Sequence, residues 1–268
     1  MTRKAGVSGW PIAHSLSPLI HGAWIAAAGL DARYDAYGPD SAQAFDALLT
    51  LGRKGELRGL NVTAPYKEQA FAAADQVSDA ARLVGSANLL VFENGRIHAD
   101  STDGYGLMNA LAEQAPSLRV AGRPVVILGA GGAARAAAGA LASAGAQVRI
   151  VNRSRDRAER LAADIGPAVS VSAGAAAFAD AVLVVNALSV RPDLDLDLLA
   201  ADTVVMDMTY RPLETPLLAA ARSRGLTGVD GLAMLIGQAR PSFEAIFETP
   251  APRTDVRQRV LAHLGEAA

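Results

Sequence analysis

Cysteine is absent from this sequence of 268 residues, which excludes disulfide bonds and thiolate ligands for a metal. No apolar run approaches the roughly 20 residues that a membrane-spanning helix needs. Arg123 and Arg135 interrupt the best candidate, residues 121–146. The first four residues lead directly into AGVSG and lack the apolar segment of a secretory signal. We therefore expect a cytoplasmic protein without a membrane partner.

An excess of either charge is also lacking, because 25 basic residues face 27 acidic ones and the formal net charge is −2. This balance provides no basic field for nucleic acid and favours a small-molecule substrate. No cluster of His, Asp and Glu has metal-ligand spacing, so we expect no metal. His14 and His21 flank a predicted helix start, and we interpret both as structural. Both a monomer and a homodimer fit the sequence.

Aromatic residues make up only 5% of the chain, yet 51% of it is hydrophobic, so a large aliphatic core can form. At about 100–200 residues per domain, the length favours two domains. Strand and helix patterns alternate in the middle third, and this alternation predicts a parallel sheet with helices on both faces. The predicted strands are 124–128, 147–152, 181–186 and 203–208, and the predicted helices are 133–143, 155–165 and 217–224.

The first third mixes short strands and helices. Its predicted strands are 5–9, 33–38 and 57–63, its helices are 17–28 and 66–74, and a hairpin pairs 87–93 with 96–99 around Asn94-Gly95. Two further helices, 233–245 and 254–264, follow the last strand and are expected to return to the first domain. The predicted fold class is therefore α/β, with two α/β domains, a boundary near Gly104 and a C-terminal return near Gly231.

A glycine-rich turn joins the predicted strand 124–128 to the helix after it. Glycines permit a tight turn and a close approach of the backbone to a pyrophosphate, and a helix N-terminus offers free N–H groups and a positive dipole. The spacing G-x-G-G-A departs from G-x-G-x-x-G, and the alternative is a plain strand-to-helix turn. We predict a dinucleotide site formed by Gly129, Ala130, Gly131, Gly132 and Ala133.

The next strand ends at Asn152 and Arg153, where NAD-selective folds carry an acidic residue for the ribose hydroxyls. A guanidinium would instead pair with a 2′-phosphate, Arg157 lies within reach, and Ser154 can donate a hydroxyl. The alternative is a solvated run of charge at the start of a helix. The pattern favours NADP over NAD, with all four residues as cofactor ligands.

Polar residues in turn-rich segments mark a candidate substrate site. Ser15 and Ser17 flank the start of the first predicted helix, and helix capping accounts for only one of them. Thr63 stands at a strand end, and Lys67 follows in the next helical turn, although a lone lysine is more often a surface residue. Asp103 follows the hairpin, in a segment that by itself indicates only a turn.

Separated segments along almost the full chain together resemble the shikimate dehydrogenase family, in their order as well as their spacing. The segments are GWPIAHSLSP (9–18), NVTAPYK (61–67), GSAN (85–88), TDG (102–104), GAGGA (129–133), NRS (152–154), DMTYRP (207–212), and GLAML (231–235) with Gln238. The resemblance implies NADPH-dependent, reversible reduction of 3-dehydroshikimate to shikimate, a step toward chorismate and the aromatic amino acids.

The resemblance also implies roles for individual residues and domains. Lys67 and Asp103 would form the catalytic pair beside the reacting C3 oxygen, and Met208 and Gly231 would line the nicotinamide. The substrate would be held by Ser15, Ser17, Thr63, Asn88, Tyr210 and Gln238. The implied domains are 1–104 for substrate binding and catalysis, 105–232 for a Rossmann-type NADP domain, and 233–268 for helices packed on the first domain.

Some positions depart from the family pattern. Ser101 replaces the usual Asn, Leu89 replaces Thr after the pocket asparagine, and residues 186–191 lack the usual Thr and Gly. The aromatic-Gly ending of the family's C-terminal helix is also missing. Since Lys67 and Asp103 are intact, these departures bear on substrate identity more than on catalysis. The alternatives are a paralogue acting on quinate, an amino-shikimate or a related cyclic hydroxy acid, and a nucleotide-sensing protein without turnover.

Overall fold

A computed structural model of the chain describes residues 2–188 and 190–265. The chain divides into two units, one formed by residues up to Thr102 with those from Gln238 onward, the other by Asp103–Gly237. The first unit contains β1 (Arg3–Ser8), α1 (Ser17–Ala27), β2 (Ala32–Tyr37), α2 (Ala42–Arg53), β3 (Gly59–Val62), α3 (Lys67–Ala72), β4 (Gln76–Val77), α4 (Asp79–Val84), β5 (Leu89–Glu93) and β6 (Arg96–Asp100).

These strands form a six-stranded mixed sheet in the order β2-β1-β3-β5-β6-β4. β1 runs parallel to both of its neighbours, whereas β5 runs antiparallel to β3 and β6. The turn between β5 and β6 is the predicted hairpin. Asn94 and Gly95 have φ values of 52° and 76°, and a two-residue turn with two positive φ angles matches the twist of the flanking strands.

The second unit begins with α5, and the chain ends with a helix that belongs to the first unit. The elements are α5 (Asp103–Gln114), β7 (Pro124–Leu128), α6 (Gly132–Ser143), β8 (Gln147–Val151), α7 (Arg155–Ile165), β9 (Val169–Val171), β10 (Leu183–Asn186), β11 (Val204–Asp207), α8 (Pro216–Ser223), β12 (Thr227–Val229), α9 (Gly231–Phe247) and α10 (Val256–Leu264). Two short 3-10 turns lie at Ala175–Ala177 and Leu196–Leu198.

The second sheet is entirely parallel, in the order β12-β11-β10-β7-β8-β9. Both of its faces are buried, as predicted. Val125 and Ile127 of β7 pack into one apolar cluster, while Val126 and Leu128 pack into another. The strand order reverses beside β7, and ligands of open α/β sheets bind outside the carboxyl ends of the strands at such a point.

The C-terminal residues pack within the first unit, as the sequence predicted. Phe243 of α9 lies edge-on to Trp24 of α1, with ring centroids 5.6 Å apart. Arg3 donates to the carbonyl of Phe247 at 2.7 Å, and Arg58 donates to the carbonyl of Ile246 at 3.3 Å. The predicted α/β class with two α/β domains is confirmed, whereas the functional assignment of residues 1–104, 105–232 and 233–268 stays a prediction. Within the described ranges, no helix is long and apolar enough to cross a membrane.

Candidate active site

The glycine turn after β7 has the backbone geometry that the sequence predicted. Gly129 has a φ of 114°, a region that side chains other than glycine rarely adopt. A Cβ atom there would lie 3.1 Å from Cδ2 of Leu188, so the position is crowded as well. The Gly129 N–H donates to the carbonyl of Val151 at 2.9 Å, which ties the turn to the end of β8.

The start of α6 is open on its outer side. Gly131 is the N-cap residue, in an extended conformation, and provides no side-chain acceptor for the first N–H groups of the helix. A Cβ at Gly131 or Gly132 would meet no neighbouring group within 4 Å in residues 2–188 and 190–265. Since no side chain among the described residues occupies this space, the helix N-terminus can accept a pyrophosphate. The residues present therefore fit a dinucleotide.

The end of β8 presents two arginines to solvent. Asn152 Nδ2 donates to the carbonyl of Ser154 at 2.8 Å, which holds the chain where it enters α7. Arg155 pairs with Glu159 at 2.7 Å, one turn along that helix. Arg153 and Arg157 are exposed, and neither forms an ion pair with a carboxylate of the described ranges. Two guanidinium groups thus remain available for an anion such as a phosphate.

Met208 and Gly231 are packed against each other at the carboxyl end of β11. A Cβ at Gly231 would lie 2.4 Å from the backbone oxygen of Met208, so this position requires glycine. Met208 N–H donates to the Asn186 carbonyl at 3.0 Å. A cavity of about 270 Å³ opens at the ends of β10 and β11, lined by Asn186, Val190, Arg191, Thr209, Arg211 and Thr215 among others.

The two serines at the start of α1 play different local roles. Ser15 Oγ accepts a hydrogen bond from the Ser17 backbone N–H at 3.3 Å. The N-cap residue of α1 is Leu16, which makes no side-chain cap, so neither serine is the N-cap of this helix. Ser17 is the first residue of α1 and its side chain is buried. The structure brings the two side chains to the same helix start and leaves their predicted contact with a carboxylate a prediction.

Lys67 and Asp103 each begin a helix. Lys67 is the first residue of α3, and its backbone carbonyl accepts from the Ala87 N–H at 3.0 Å, which places it beside the segment that carries Asn88. Asp103 is the first residue of α5, in the second unit, where the local pattern alone indicated only a turn. Both side chains are half-buried. Their action as a catalytic pair stays a prediction.

Thr63 and Tyr210 lie next to strand ends. Thr63 directly follows β3, and its carbonyl accepts from the Tyr66 N–H at 3.0 Å, while the intervening Ala64–Pro65 bond is cis. Tyr210 lies in the segment after β11. Burial raises the pKa of its phenol, although the charge of Arg211 acts in the opposite direction. Tyr210 therefore stays a neutral hydrogen-bond donor at neutral pH.

Asn88, Gln238 and Thr102 form one hydrogen-bonded cluster. The Thr102 backbone N–H donates to Asn88 Oδ1 at 2.8 Å. Asn88 Nδ2 donates to Thr102 Oγ1 at 3.0 Å and to Gln238 Oε1 at 3.1 Å. Because Oε1 of Gln238 accepts inside this cluster, its Nε2 is the group that can donate to a ligand. Two predicted substrate residues are thus brought together, along with Thr102, to which the sequence analysis assigned no role.

The two histidines near α1 differ in burial. His14 is exposed, whereas His21 is buried and stacks on Tyr34 with ring centroids 4.0 Å apart. Burial lowers the pKa of His21 to about 3, so its ring is neutral under physiological conditions. This agrees with the structural interpretation of His21. Among the described residues, no group of three or more His, Asp or Glu side chains could hold a metal ion.

Comparison with known proteins decides the family. Residues 7–90 match the sequence model of the family described as the shikimate dehydrogenase substrate binding domain. Residues 124–210 match the sequence model of the coenzyme F420-dependent NADP oxidoreductase family. The shikimate dehydrogenase (NADP(+)) of Caulobacter vibrioides is 50% identical over 273 residues, which cover 97% of this chain and 95% of the relative. The chain belongs to the shikimate dehydrogenase family.

Two solved structures show the range of this fold. The shikimate 5-dehydrogenase of Thermus thermophilus, in complex with NADP(H) and shikimate, matches with a TM-score of 0.87 at 33% identity, over 96% of this chain and 97% of that chain. The quinate dehydrogenase of Corynebacterium glutamicum, in complex with NAD, matches with a TM-score of 0.89 at 29% identity, over 97% of this chain and 99% of that chain. The backbone fold matches both enzymes almost equally well and therefore does not distinguish shikimate from quinate as the substrate. Individual side chains must determine which substrate is preferred.

Three of the four departures from the family pattern lie at or after strands. Leu89 is buried in β5 and pairs with Asn61 across the ladder. Ser101 is buried, and its backbone N–H donates to the side chain of Asp100 at 2.7 Å. The segment that lacks Thr and Gly contributes Val190 and Arg191 to the cavity beside β10 and β11, whereas Ser189 lies outside the described residues.

Sequence reasoning missed a buried hydrogen-bond chain behind Asn88 and Gln238. It consists of Tyr34, Asn61 and Ser242, all buried in the first unit. A usable signal was present, since a polar side chain within an apolar strand or helix needs internal partners. Only the tertiary structure shows which partners these residues have.

Proposed function

We propose that this protein catalyses the NADP-dependent, reversible reduction of 3-dehydroshikimate to shikimate. The observation that carries the proposal is the 50% identity, over nearly the full length of both chains, with an NADP+-dependent shikimate dehydrogenase. The cluster of Asn88 and Gln238 supports it, because two amides held in fixed orientation suit a substrate that carries several hydroxyl groups. Cytoplasmic location, and a monomeric or homodimeric state, belong to this proposal as well.

The first unit provides most of the substrate ligands in this proposal. Ser15 and Ser17 bind the carboxylate through their hydroxyls at the start of α1. Thr63, Asn88 and Gln238 bind the ring hydroxyls, with Gln238 donating through Nε2. Tyr210, a neutral phenol of the second unit, covers the bound ring.

The second unit provides the cofactor ligands. The pyrophosphate would be held by residues 129–133 at the start of α6. The 2′-phosphate and its ribose would be held by Asn152, Arg153, Ser154 and Arg157. The nicotinamide ring would be lined by Met208 and Gly231. When bound, NADPH supplies the hydride for the ketone carbon. The free guanidinium groups of Arg153 and Arg157 favour the phosphorylated cofactor over NAD.

Lys67 and Asp103 handle the proton in the proposed mechanism. As the ketone oxygen gains negative charge, the Lys67 ammonium donates a proton to it, and in the oxidation direction the neutral amine accepts that proton. Asp103 orients the lysine and shares its hydrogen bonds to the reacting hydroxyl. No metal is required, because the Lys67 ammonium both stabilises the negative charge on the oxygen and protonates it.

A second candidate substrate is quinate, or a related cyclic hydroxy acid. Leu89 and residues 186–191 favour this alternative, because they replace polar or small residues of the family with apolar or charged ones. The similarity to a quinate dehydrogenase solved with NAD adds to it. Loss of one polar partner in a pocket can change discrimination between substrates by orders of magnitude.

Steady-state kinetics with shikimate and with quinate, each with NADP and with NAD, separates the candidates. The proposal predicts the highest kcat/KM for shikimate with NADP. A higher kcat/KM for quinate would overturn the substrate assignment while the reaction class stands. Binding of NADPH without turnover of any cyclic acid would favour a nucleotide-sensing protein instead.

A further inference from the structure

Two buried side chains hold the backbone on which Asn88 and Gln238 are mounted. Asn61 of β3 donates through Nδ2 to the backbone carbonyl of Asn88 at 3.1 Å. Ser242 of α9 donates through its hydroxyl to the backbone carbonyl of Gln238 at 3.1 Å. Asn61 and Ser242 also bond to each other, with 2.8 Å between Nδ2 and Oγ. One side-chain pair thus links two residues that are 150 positions apart.

The donor and the acceptor of each hydrogen bond that links Tyr34, Asn61 and Ser242 can be assigned. Ser242 gives its only hydroxyl proton to the carbonyl of Gln238, so its oxygen must accept from Asn61. Both Nδ2 protons of Asn61 are then used, and Asn61 Oδ1 accepts from the hydroxyl of Tyr34 at 2.8 Å. The amide of Asn61 consequently has a single orientation that satisfies all its partners.

A further contact joins the hydrogen-bonded residues Tyr34, Asn61 and Ser242 to the cluster of Asn88, Thr102 and Gln238. The hydroxyl oxygens of Thr102 and Ser242 lie 3.4 Å apart, and Thr102 Oγ1 lies 3.2 Å from Oε1 of Gln238. Ser242 is fully buried, and Tyr34 and Asn61 are nearly so. In such an environment, removal of one partner leaves a polar group unsatisfied, and the neighbouring groups rearrange to recover the bond.

We propose that Ser242 and Tyr34 are positioning residues for the cyclic substrate, acting through Asn61 on Asn88 and Gln238. This inference rests on the function proposed above, because it takes Asn88 and Gln238 as ligands of the ring hydroxyls. Neither Ser242 nor Tyr34 touches the substrate. Ser242 sets the position of the Gln238 backbone relative to Asn88, and Tyr34 fixes the amide orientation of Asn61 on which Ser242 depends.

The variant Ser242→Ala tests the role of the hydroxyl. We expect the KM for the cyclic acid to rise roughly tenfold, the size of effect that one lost buried hydrogen bond produces. The KM for NADP is expected to stay at the wild-type value. Tyr34→Phe keeps the ring that stacks on His21 but removes the donor to Asn61, and a KM change of the same kind is expected.

The double variant shows whether both residues act through one chain. If they do, Tyr34→Phe adds little to the KM of Ser242→Ala, because the link from Asn61 through Ser242 to Gln238 is already lost. Thr203→Val is the matched control for stability. Thr203 is fully buried, and its hydroxyl donates to the carbonyl of Ala181 at 2.9 Å in the second unit. It should lower Tm without a change in either KM.

The assay uses whichever cyclic acid the wild type turns over with the highest kcat/KM. A preference for an acid other than shikimate counts against the proposed substrate and leaves this test intact. The inference would be overturned if Tyr34→Phe and folded Ser242→Ala both kept the wild-type KM for the cyclic acid and only their Tm fell, as expected for Thr203→Val. Both residues would then have a structural role only.

Discussion

Arg153 is the residue on which the preference for NADP over NAD depends most directly. Its guanidinium is exposed and has no carboxylate partner in the part of the chain that the structure describes. In Arg153→Ala, we expect the KM for NADP to rise by about tenfold or more, the typical effect of a lost charge-assisted hydrogen bond. The KM for NAD should change little, because NAD carries no 2′-phosphate.

Arg155→Ala provides the matched control for this prediction. Arg155 lies two positions away and is already paired with Glu159, so its loss removes the same charge without a phosphate ligand. Steady-state kinetics of both variants with both cofactors gives the comparison. An equal rise in KM for NADP and NAD in Arg153→Ala would show that Arg153 does not bind the phosphate.

His21 makes the stability of the fold depend on pH. Its pKa is about 3 in the folded protein and 6.5 in the unfolded chain, so the unfolded state binds the extra proton first as the pH falls. Above pH 6.5 His21 does not reduce the free energy of unfolding, because it is neutral in both states. Below pH 6.5 the free energy of unfolding falls by up to about 1.4 kcal/mol per pH unit, because only the unfolded chain is protonated at this residue. The cause is the loss of hydration of the charged ring on burial.

The variant His21→Phe removes this titration and keeps a ring that can stack on Tyr34. Chemical denaturation at a series of pH values measures the difference in unfolding free energy between variant and wild type. We expect this difference to shift in favour of the variant by about 2 kcal/mol between about pH 7 and about pH 5. A difference that is constant over this range would rule out a buried, neutral His21.

At the scale of elements, a substitution at the junction of β7 and α6 can affect cofactor binding without affecting the stability of the fold. Gly131 has a φ of −94°, which alanine adopts without strain, and no neighbouring group in the described ranges lies within 4 Å of a Cβ built there. The same Cβ would occupy the space proposed for the pyrophosphate. Gly131→Ala is therefore expected to keep the wild-type Tm while the KM for NADP rises at least tenfold.

Measurement of the KM for the cyclic acid in Gly131→Ala serves as an internal control, because that value should not change. Gly231→Ala offers the contrast. Its Cβ would lie 2.4 Å from the oxygen of Met208, so this change should lower the Tm as well. A wild-type KM for NADP in Gly131→Ala would argue against a pyrophosphate at the start of α6.

The sequence predicted most of the elements but not all of them. The parallel sheet followed from its apolar strands, and the hairpin followed from Asn94-Gly95, because both signals are local. The helix α2 was missed although Ser41 caps it by accepting from the Ala44 N–H at 3.2 Å. The strands β4, β9 and β12 contain only two or three residues, and their neighbours in the sheet define them more than their own sequence does.

The start of α5 shows why some structure cannot be predicted locally. The segment Thr102-Asp103-Gly104 has the composition of a turn, yet Asp103 begins a helix. A Cβ at Gly104 would lie 2.9 Å from Cβ of Ala140 in α6, so the glycine permits close helix packing. The buried chain of Tyr34, Asn61 and Ser242 escaped prediction for a similar reason, since its members lie far apart in the sequence and meet only in the folded unit.

At the scale of the whole molecule, the proposed reaction requires one residue from each unit. Lys67 belongs to the first unit and Asp103 to the second. If the two side chains act on one proton transfer, each is useful only while the other is present. Lys67→Ala and Asp103→Ala should therefore each lose roughly 100-fold or more in kcat. Binding of NADPH should persist in both variants.

A double-mutant cycle of Lys67→Ala and Asp103→Ala, measured as kcat for shikimate oxidation with NADP, tests this central claim most directly. The account predicts that the double variant is about as slow as the slower single variant, because either change already disables the shared step. Losses that multiply in the double variant, or a Lys67→Ala enzyme that keeps a rate near the wild type, would contradict it.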